Sequence, residues 1–563
     1  MDLEKNSEKH PPALYWLFFT EMWERFSYYG MRALLTLFLV STFMKGDMKV
    51  SVSDLLAKKE IKVQELFKSS KLSKEEITLV ANQLKPTSQE IALATQVKML
   101  TQKGDKTQAE NDLITKSKKQ KDSTDAAREA KIGELGQKCG IKKNEADILV
   151  KNINLTNEEK ELATKEELST KEAGNIYGIY TGLAYILTLI GGYLADKFFG
   201  FRKTVYMGGV LMAAAQFTLA FGAYSESIPF FYLGLGLLVV GNGLFKPNIS
   251  SMVGQYYVNG SALKDSAYTI FYMGINIGAF LGAIICGYLG EKIAWHYGFM
   301  AAGVGMIAGL VIFYMAQKHL GDVGLALVKK SKELELADNQ PLTVVEKQKL
   351  AVACILSFFS IIFWASFEQA GSSMSIFAKN YTDRMLGSFE VPATWFQSVN
   401  SMFIFMLAPL FSILWVFLDR KNMNPNGAVK FALGLLLVAL GFAVLVVGAG
   451  SIPQGANAAQ VSMMWLLGAY CLHTMGELCL SPVGLSFINK LSPPRFFGLM
   501  FGIWFVASGC GNYLGGWLSG FIGDSDAYSI SDFFKIVVIV PLIAAIVLLA
   551  ISPLLKKWMH GVK

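Results

Sequence analysis

The chain has 563 residues, 52% of them hydrophobic and 12% aromatic, with a formal net charge of +8. A soluble protein of that length would divide into roughly three or four domains. The apolar residues are instead gathered into runs too long for soluble cores, and the excess of Lys and Arg lies in short loops between those runs, so soluble multidomain and nucleic-acid-binding classes are excluded.

Twelve stretches reach the length of about 20 residues that a helix needs to cross a bilayer. They lie near 14–43, 174–195, 204–224, 229–256, 266–290, 297–317, 349–377, 394–418, 428–449, 460–488, 496–520 and 532–555. The first is no cleavable signal, because Glu21, Glu24 and Arg25 stand where an apolar stretch should be. In the run EMWERFSYYGMR (21–32), these three occupy i, i+3 and i+4, one face of a helix, and Tyr28, Tyr29 and Arg32 extend the stripe. Charge inside hydrocarbon is expensive unless it is paired or faces an aqueous cavity, so the stripe points to transport.

Residues 45–172 follow, holding 25 Lys/Arg and 22 Asp/Glu with Phe67 as the only aromatic. So few large apolar groups make a poor core, which predicts small, loosely packed helices in an insert outside the membrane. Residues 63–84 read as an amphipathic helix, and LSKEEITLVA (72–81) is similar to LTNEEKELAT (155–164). A solvated spacer takes precedence over a binding module, and no partner for the insert is legible.

Lys197, Arg202 and Lys203 follow the second run, Arg420 and Lys421 the eighth, and Lys556 and Lys557 the twelfth, while the opposite loops are nearly free of basic residues. Positive-inside counting therefore puts both termini in the cytoplasm and the insert outside. The chain divides into residues 1–44 (N-terminus and helix 1), the insert 45–172, helices 2–6 at 173–317, a charged linker at 318–348, helices 7–12 at 349–557, and a tail at 558–563. Two six-helix halves joined by a central linker is the plan of a two-bundle transporter with its site near the midplane. GINIGAFLG (274–282) repeats glycine every fourth residue for close helix approach, and Asn276 projects from the opposite face, toward the cavity.

Further charges within the runs are Lys246 in GNGLFKPN (241–248), Glu368 in WASFEQAGSS (364–373) and Glu477 in HTMGELCLSP (473–482), with Asp196 closing helix 2. Lys246 and Glu477 belong to opposite halves, so the cavity offers a cation on one side and an anion on the other, which suits a zwitterion. A buried carboxylate whose partner cation is periodically claimed by a substrate carboxylate has a physical route to proton uptake and release. The alternative is a set of static ion pairs that lock helix packing. His473, one turn before Glu477, reads as a hydrogen-bonded packing histidine before a tuning group. The six cysteines suggest neither a disulfide framework nor metal ligation, Cys139 standing alone in a polar region. No Walker loop, HExxH or nucleophile elbow is present, so neither an enzyme nor ATP-driven transport is expected.

At these residues the chain resembles the proton-dependent oligopeptide transporters, the peptide-transporter branch of the major facilitator superfamily. Glu21, Glu24, Arg25 and Phe26 meet the ExxERF motif, with Tyr28 and Tyr29 following. GGYLADKFFGFRK (191–203), GNGLFKPN and FYMGINIG (271–278) match further signatures in order. The resemblance implies an all-α polytopic membrane protein of major facilitator fold, twelve transmembrane helices in two bundles, here carrying a helical extramembrane insert. It implies proton-coupled uptake of di- and tripeptides by alternating access across a bacterial inner membrane, by a monomer, with protons as coupling ion and no cofactor. Glu21, Glu24 and Arg25 would serve proton coupling in exchange with Lys246. Arg32 and Lys246 would hold the peptide carboxylate, with Glu368 as partner of this cationic site, and Glu477 would receive the ammonium. Asn276 and Asn400 would bind the peptide backbone, Tyr28, Tyr29, Tyr185 and Trp504 would line side-chain pockets, and Asp196 and Arg202 would serve the conformational hinge. Animal relatives carry a histidine in helix 2 where Gly178 stands here, two extra helices of many bacterial members are absent, and the insert is outside the common pattern. Rival readings are a carrier of nitrate or a drug-like solute on the same fold, and a transport-dead receptor that uses the insert.

Overall fold

The computed structural model describes residues 9–43, 130–134, 137, 157–257, 262–325, 341–452, 461–493, 496–522 and 529–562. Helix α1 (Pro12–Phe38) opens on a proline at its first position, where the missing N–H is no loss, and closes in a π turn at Leu39–Phe43. The first bundle continues with α2 (Asn157–Leu194), α3 (Phe201–Tyr224), α4 (Ile228–Gly254), α5 (Ala262–Tyr288) and α6 (Trp295–Ala316). The second comprises α7 (Val344–Phe367), α8 (Phe396–Arg420), α9 (Gly427–Ala449), α10 (Met464–Leu491), α11 (Phe497–Ser519) and α12 (Ile530–Trp558). Each half has its own hydrophobic core, and large apolar side chains such as Val304, Val311, Ile413 and Ile546 are exposed on the outside, where lipid is the solvent.

Among the described residues, ten helices are long and apolar enough to cross a membrane. Helix α1, which carries four charged residues, and α11 also have spanning length. This is a multi-pass membrane protein. Helix α2 begins at Asn157, inside the stretch expected to be insert, and its membrane-spanning part starts only at Thr170. At 1.5 Å per residue its 38 residues extend about 57 Å, well beyond a hydrocarbon core of about 30 Å. The expected helix at 63–84, the first copy of the similar segments and Cys139 lie outside the described residues; 157–164 of the second copy are helical. Helix α7 likewise starts within the expected linker, because Thr343 and Glu346 form a capping box. It then breaks into a 3₁₀ turn at Glu368–Gly371 before a short helix, Ser373–Asn380.

Glycines set the helix spacing. A Cβ on Gly278 or Gly282 of α5 would fall 2.1 Å from Met22 O or 2.4 Å from Phe26 O of α1, so the expected close approach of that motif is realised against the charged helix. A second series joins the two bundles. Cβ atoms on Gly174, Gly178 and Gly182 of α2 would lie 2.6–2.9 Å from backbone oxygens of α11. Between α1 and α7, Thr36 Oγ1 donates to Gly371 O at 2.8 Å. These contacts lie toward the end of the bundles from which the insert departs, called here the insert end; the opposite one is the linker end.

Candidate functional site

Glu21, Glu24 and Arg25 are buried together on α1, each no more than 2% exposed. Arg25 Nε pairs with Glu21 at 3.0 Å and also with Glu24, and the guanidinium lies 5.1 Å from the Tyr28 ring centroid. Glu21 Oε2, Glu24 Oε1 and Arg25 Nη2 have no hydrogen-bond partner.

Lys246 stands on α4 just before Pro247, which breaks the backbone ladder there. Its neighbours in GNGLFKPN fasten α4 to α2: Asn242 Nδ2 donates to Ala184 O at 2.9 Å and Asn248 Nδ2 to Gly191 O at 3.2 Å. The Lys246 ammonium is 3.9 Å from the centroid of Tyr185 and, among the described residues, forms no ion pair. An aromatic face leaves the hydrogen-bond donors of an ammonium open to a carboxylate.

Arg32 reaches across the bundle interface. Its Nη2 pairs with Glu368 Oε2 at 2.6 Å, its Nε donates to the Tyr177 hydroxyl at 2.8 Å, and that hydroxyl donates to Glu368 at 2.9 Å. The 3₁₀ break of α7 presents Glu368, and Gly371 is required there because a Cβ would fall 1.9 Å from the Tyr177 hydroxyl oxygen. Glu368 is thus the partner of Arg32 rather than of Lys246, and Tyr177, which the sequence reading passed over, completes the triad.

A cavity of about 100 Å³ lies between the bundles, lined among others by Tyr29, Arg32, Asn276, Asn400 and Glu477. Asn276 donates to Tyr272 O at 3.0 Å, and Asn400 donates to both Thr474 Oγ1 and Glu477 Oε2 at 3.0 Å. Glu477 has no cation beside it in the described residues, so an acceptor on α10 faces Arg32 of α1 across the cavity. Ligand pockets usually offer about 300–1,000 Å³, so the cavity is small in this conformation. Gln397, Tyr272 and Tyr470 also line it and were not anticipated.

Other expected residues lie elsewhere. Tyr28 is buried edge-on to Tyr29 and beside Tyr180. Trp504 does not line the cavity; it packs in the second core, 6.1 Å from the Phe431 ring and against Gly484, enclosed by apolar groups. Asp196 and Arg202 do not pair. Gly200, at φ +75°, turns the chain between them, leaving Asp196 exposed while Arg202 donates to Val323 O at 2.5 Å and to Gly321 O, tying α3 to the end of α6. His473 is buried, packing 4.4 Å from the Phe442 ring and against Gly441 of α9.

The family described as the POT family (PTR2) matches residues 202–332 and 325–536. The chain is 32% identical over 451 residues to the peptide transporter YePEPT of Yersinia enterocolitica, covering 70% of this chain and 88% of that one. It is 28% identical to a di-/tripeptide transporter of Lactococcus lactis subsp. cremoris, over 70% and 89% of the two chains. Among solved structures, a peptide transporter POT in complex with sulfate superposes with a TM-score of 0.69 at 26% identity, covering 99% of this chain and 98% of that one. The chain belongs to the POT family.

Proposed function

We propose that the chain is a proton:di/tripeptide symporter that carries its substrates inward by alternating access. The observation that carries this reading is the cavity walled by Arg32 on one bundle and Glu477 on the other. Opposite fixed charges on opposite bundles suit a zwitterion of short backbone, and its ends draw the bundles together. The peptide carboxylate engages Arg32 and Lys246, the ammonium meets Glu477, and Asn276 and Asn400 bind the backbone; Tyr29 faces the side chains. A carboxylate that claims Lys246 or Arg32 changes the balance at Glu21, Glu24, Arg25 and Glu368, which favours proton uptake by a carboxylate left without its cation. Coupling follows if peptide and proton each bind the two conformations with different affinity. Relatives named as peptide and di-/tripeptide transporters support the substrate class.

The protein is read as a monomer of the bacterial inner membrane with cytoplasmic termini, which makes the insert end extracytoplasmic and the described conformation closed to the outside. The test separates carriage from coupling. Glu24→Gln, reconstituted in liposomes, keeps counterflow of labelled di-alanine and loses gradient-driven uptake. A variant that keeps driven uptake at the parent rate removes Glu24 from the coupling role.

A further inference from the structure

We propose that Glu291 is a gating residue: carried by the first bundle, its carboxylate caps the 3₁₀ turn Ala393–Trp395 that leads into α8 of the second bundle, and latches the insert end shut. The opening amides of a helix have no intrahelical acceptor and need a cap. The segment leading into α8 has none of its own, because the position before its first turn is Pro392, whose side chain accepts no hydrogen bond. Glu291 supplies the cap from α5. Its Oε2 accepts from Ala393 N at 3.0 Å and its Oε1 from Thr394 N at 2.7 Å, so both carboxylate oxygens are committed to one helix end. A negative charge at the positive end of a helix is also favoured electrostatically.

The surroundings are built for the same docking. Glu291 is placed by a π turn, Leu289–Ile293, that ends α5. One turn earlier Gly287 makes room for Thr394, whose Oγ1 would be 2.2 Å from any Cβ there. Trp395 Nε1 donates to Ile284 O at 3.0 Å. Beside the cap, Lys292 pairs with Glu390 at 2.6 Å, and Arg384 holds the same carboxylate at 2.7 Å. Every bond except the last joins α5 or its end to the chain entering α8, and none survives separation of these tips. The latch is therefore specific to one conformation, which is the requirement for biasing an equilibrium. It is separate from the Arg32–Tyr177–Glu368 triad, which touches the cavity; Glu291 touches no group of the cavity wall named above.

The inference rests on the alternating-access reading, and hydrogen–deuterium exchange of the full chain in lipid nanodiscs tests the two apart. Wild type, Glu291→Ala and Glu291→Gln are compared with and without di-alanine. Loss of two charge-assisted bonds predicts, in Glu291→Ala, exchange at least about tenfold faster at 393–396. The same acceleration is expected at 31–38 and 368–376, where α1 meets α7 away from the substitution. Gln keeps one acceptor oxygen and falls between, and it carries the test if the alanine variant does not fold. Acceleration confined to 389–397, or absent, overturns the gating role and leaves at most a local cap. If di-alanine changes exchange at neither end of wild type, alternating access itself fails. If wild type responds and the variants match it, only the latch fails.

Discussion

Tyr177→Phe is the most searching test of the bundle contact. The substitution keeps the ring, which is fully buried, and deletes one oxygen. That oxygen accepts from Arg32 at 2.8 Å and donates to Glu368 at 2.9 Å, while the direct Arg32–Glu368 pair at 2.6 Å stays in place. Hydrogen bonds to charged groups contribute about 1.5–3 kcal/mol each. The partners regain water when the bundles part, so a net loss of about 2 kcal/mol for the closed insert end is a fair expectation. That corresponds to an open fraction raised by about thirtyfold. The assay is the rate of alkylation of Thr36→Cys by a membrane-impermeant maleimide, in a background with the native cysteines replaced. Position 36 is buried at the α1–α7 contact and becomes reachable only when the insert end opens. Adding Glu368→Gln tests the route: if the hydroxyl acts through Glu368, the double variant opens less than the sum of the singles. An alkylation rate within about twofold of the parent would refute the triad's part in closure.

Gly178→Ala places a Cβ 2.6 Å from Tyr513 O, against backbone that cannot rotate away, and overpacking of this kind costs about 1–3 kcal/mol. Its thermal midpoint is expected below that of Gly192→Ala, whose added methyl meets open space; equal midpoints would remove the α2–α11 contact from the account. Glu477→Gln is expected to weaken uptake of di-alanine at least about tenfold, the effect of losing one charged partner, and to leave N-acetylated dipeptide inhibition unchanged. Equal losses for both would place the ammonium elsewhere. Lys292 donates to Glu390 and, with Arg384, holds its carboxyl below the usual glutamate range. A lowered value means the ion pair's contribution is complete above the ordinary pKa and fades only as pH falls through the lowered one. Glu390→Gln should therefore leave the shape of the uptake profile between about pH 5 and 7 unchanged, and a lost acid limb would contradict this.

The twelve-helix plan and the charged cavity groups were legible because long apolar runs, and charge within them, have few physical explanations. Arg32 and Glu477 were found that way, and Asn276 from its place opposite the glycine repeat of α5. What stayed hidden depends on docking between distant segments. Arg32 and Glu368 lie 336 residues apart, and nothing local distinguishes Glu368 as a partner of Arg32 from a partner of Lys246. Tyr177 and Trp504 illustrate the same limit from two sides. An aromatic residue within a spanning helix reads identically whether it completes an ion pair, as Tyr177 does, or fills an apolar core, as Trp504 does. The glycines at 174, 178 and 182 carry the same four-residue spacing that made α5 readable, and they could have announced the α2–α11 contact. Glu291 gave no signal, because its acceptors are committed to backbone amides, which every sequence possesses.

The most direct test of the central claim is accumulation of labelled di-alanine in proteoliposomes under an inward proton gradient. The account predicts internal peptide rising above the external concentration, with the excess abolished by a protonophore and uptake competed by unlabelled tripeptide. Peptide that only equilibrates, whatever the gradient, would contradict proton-coupled symport.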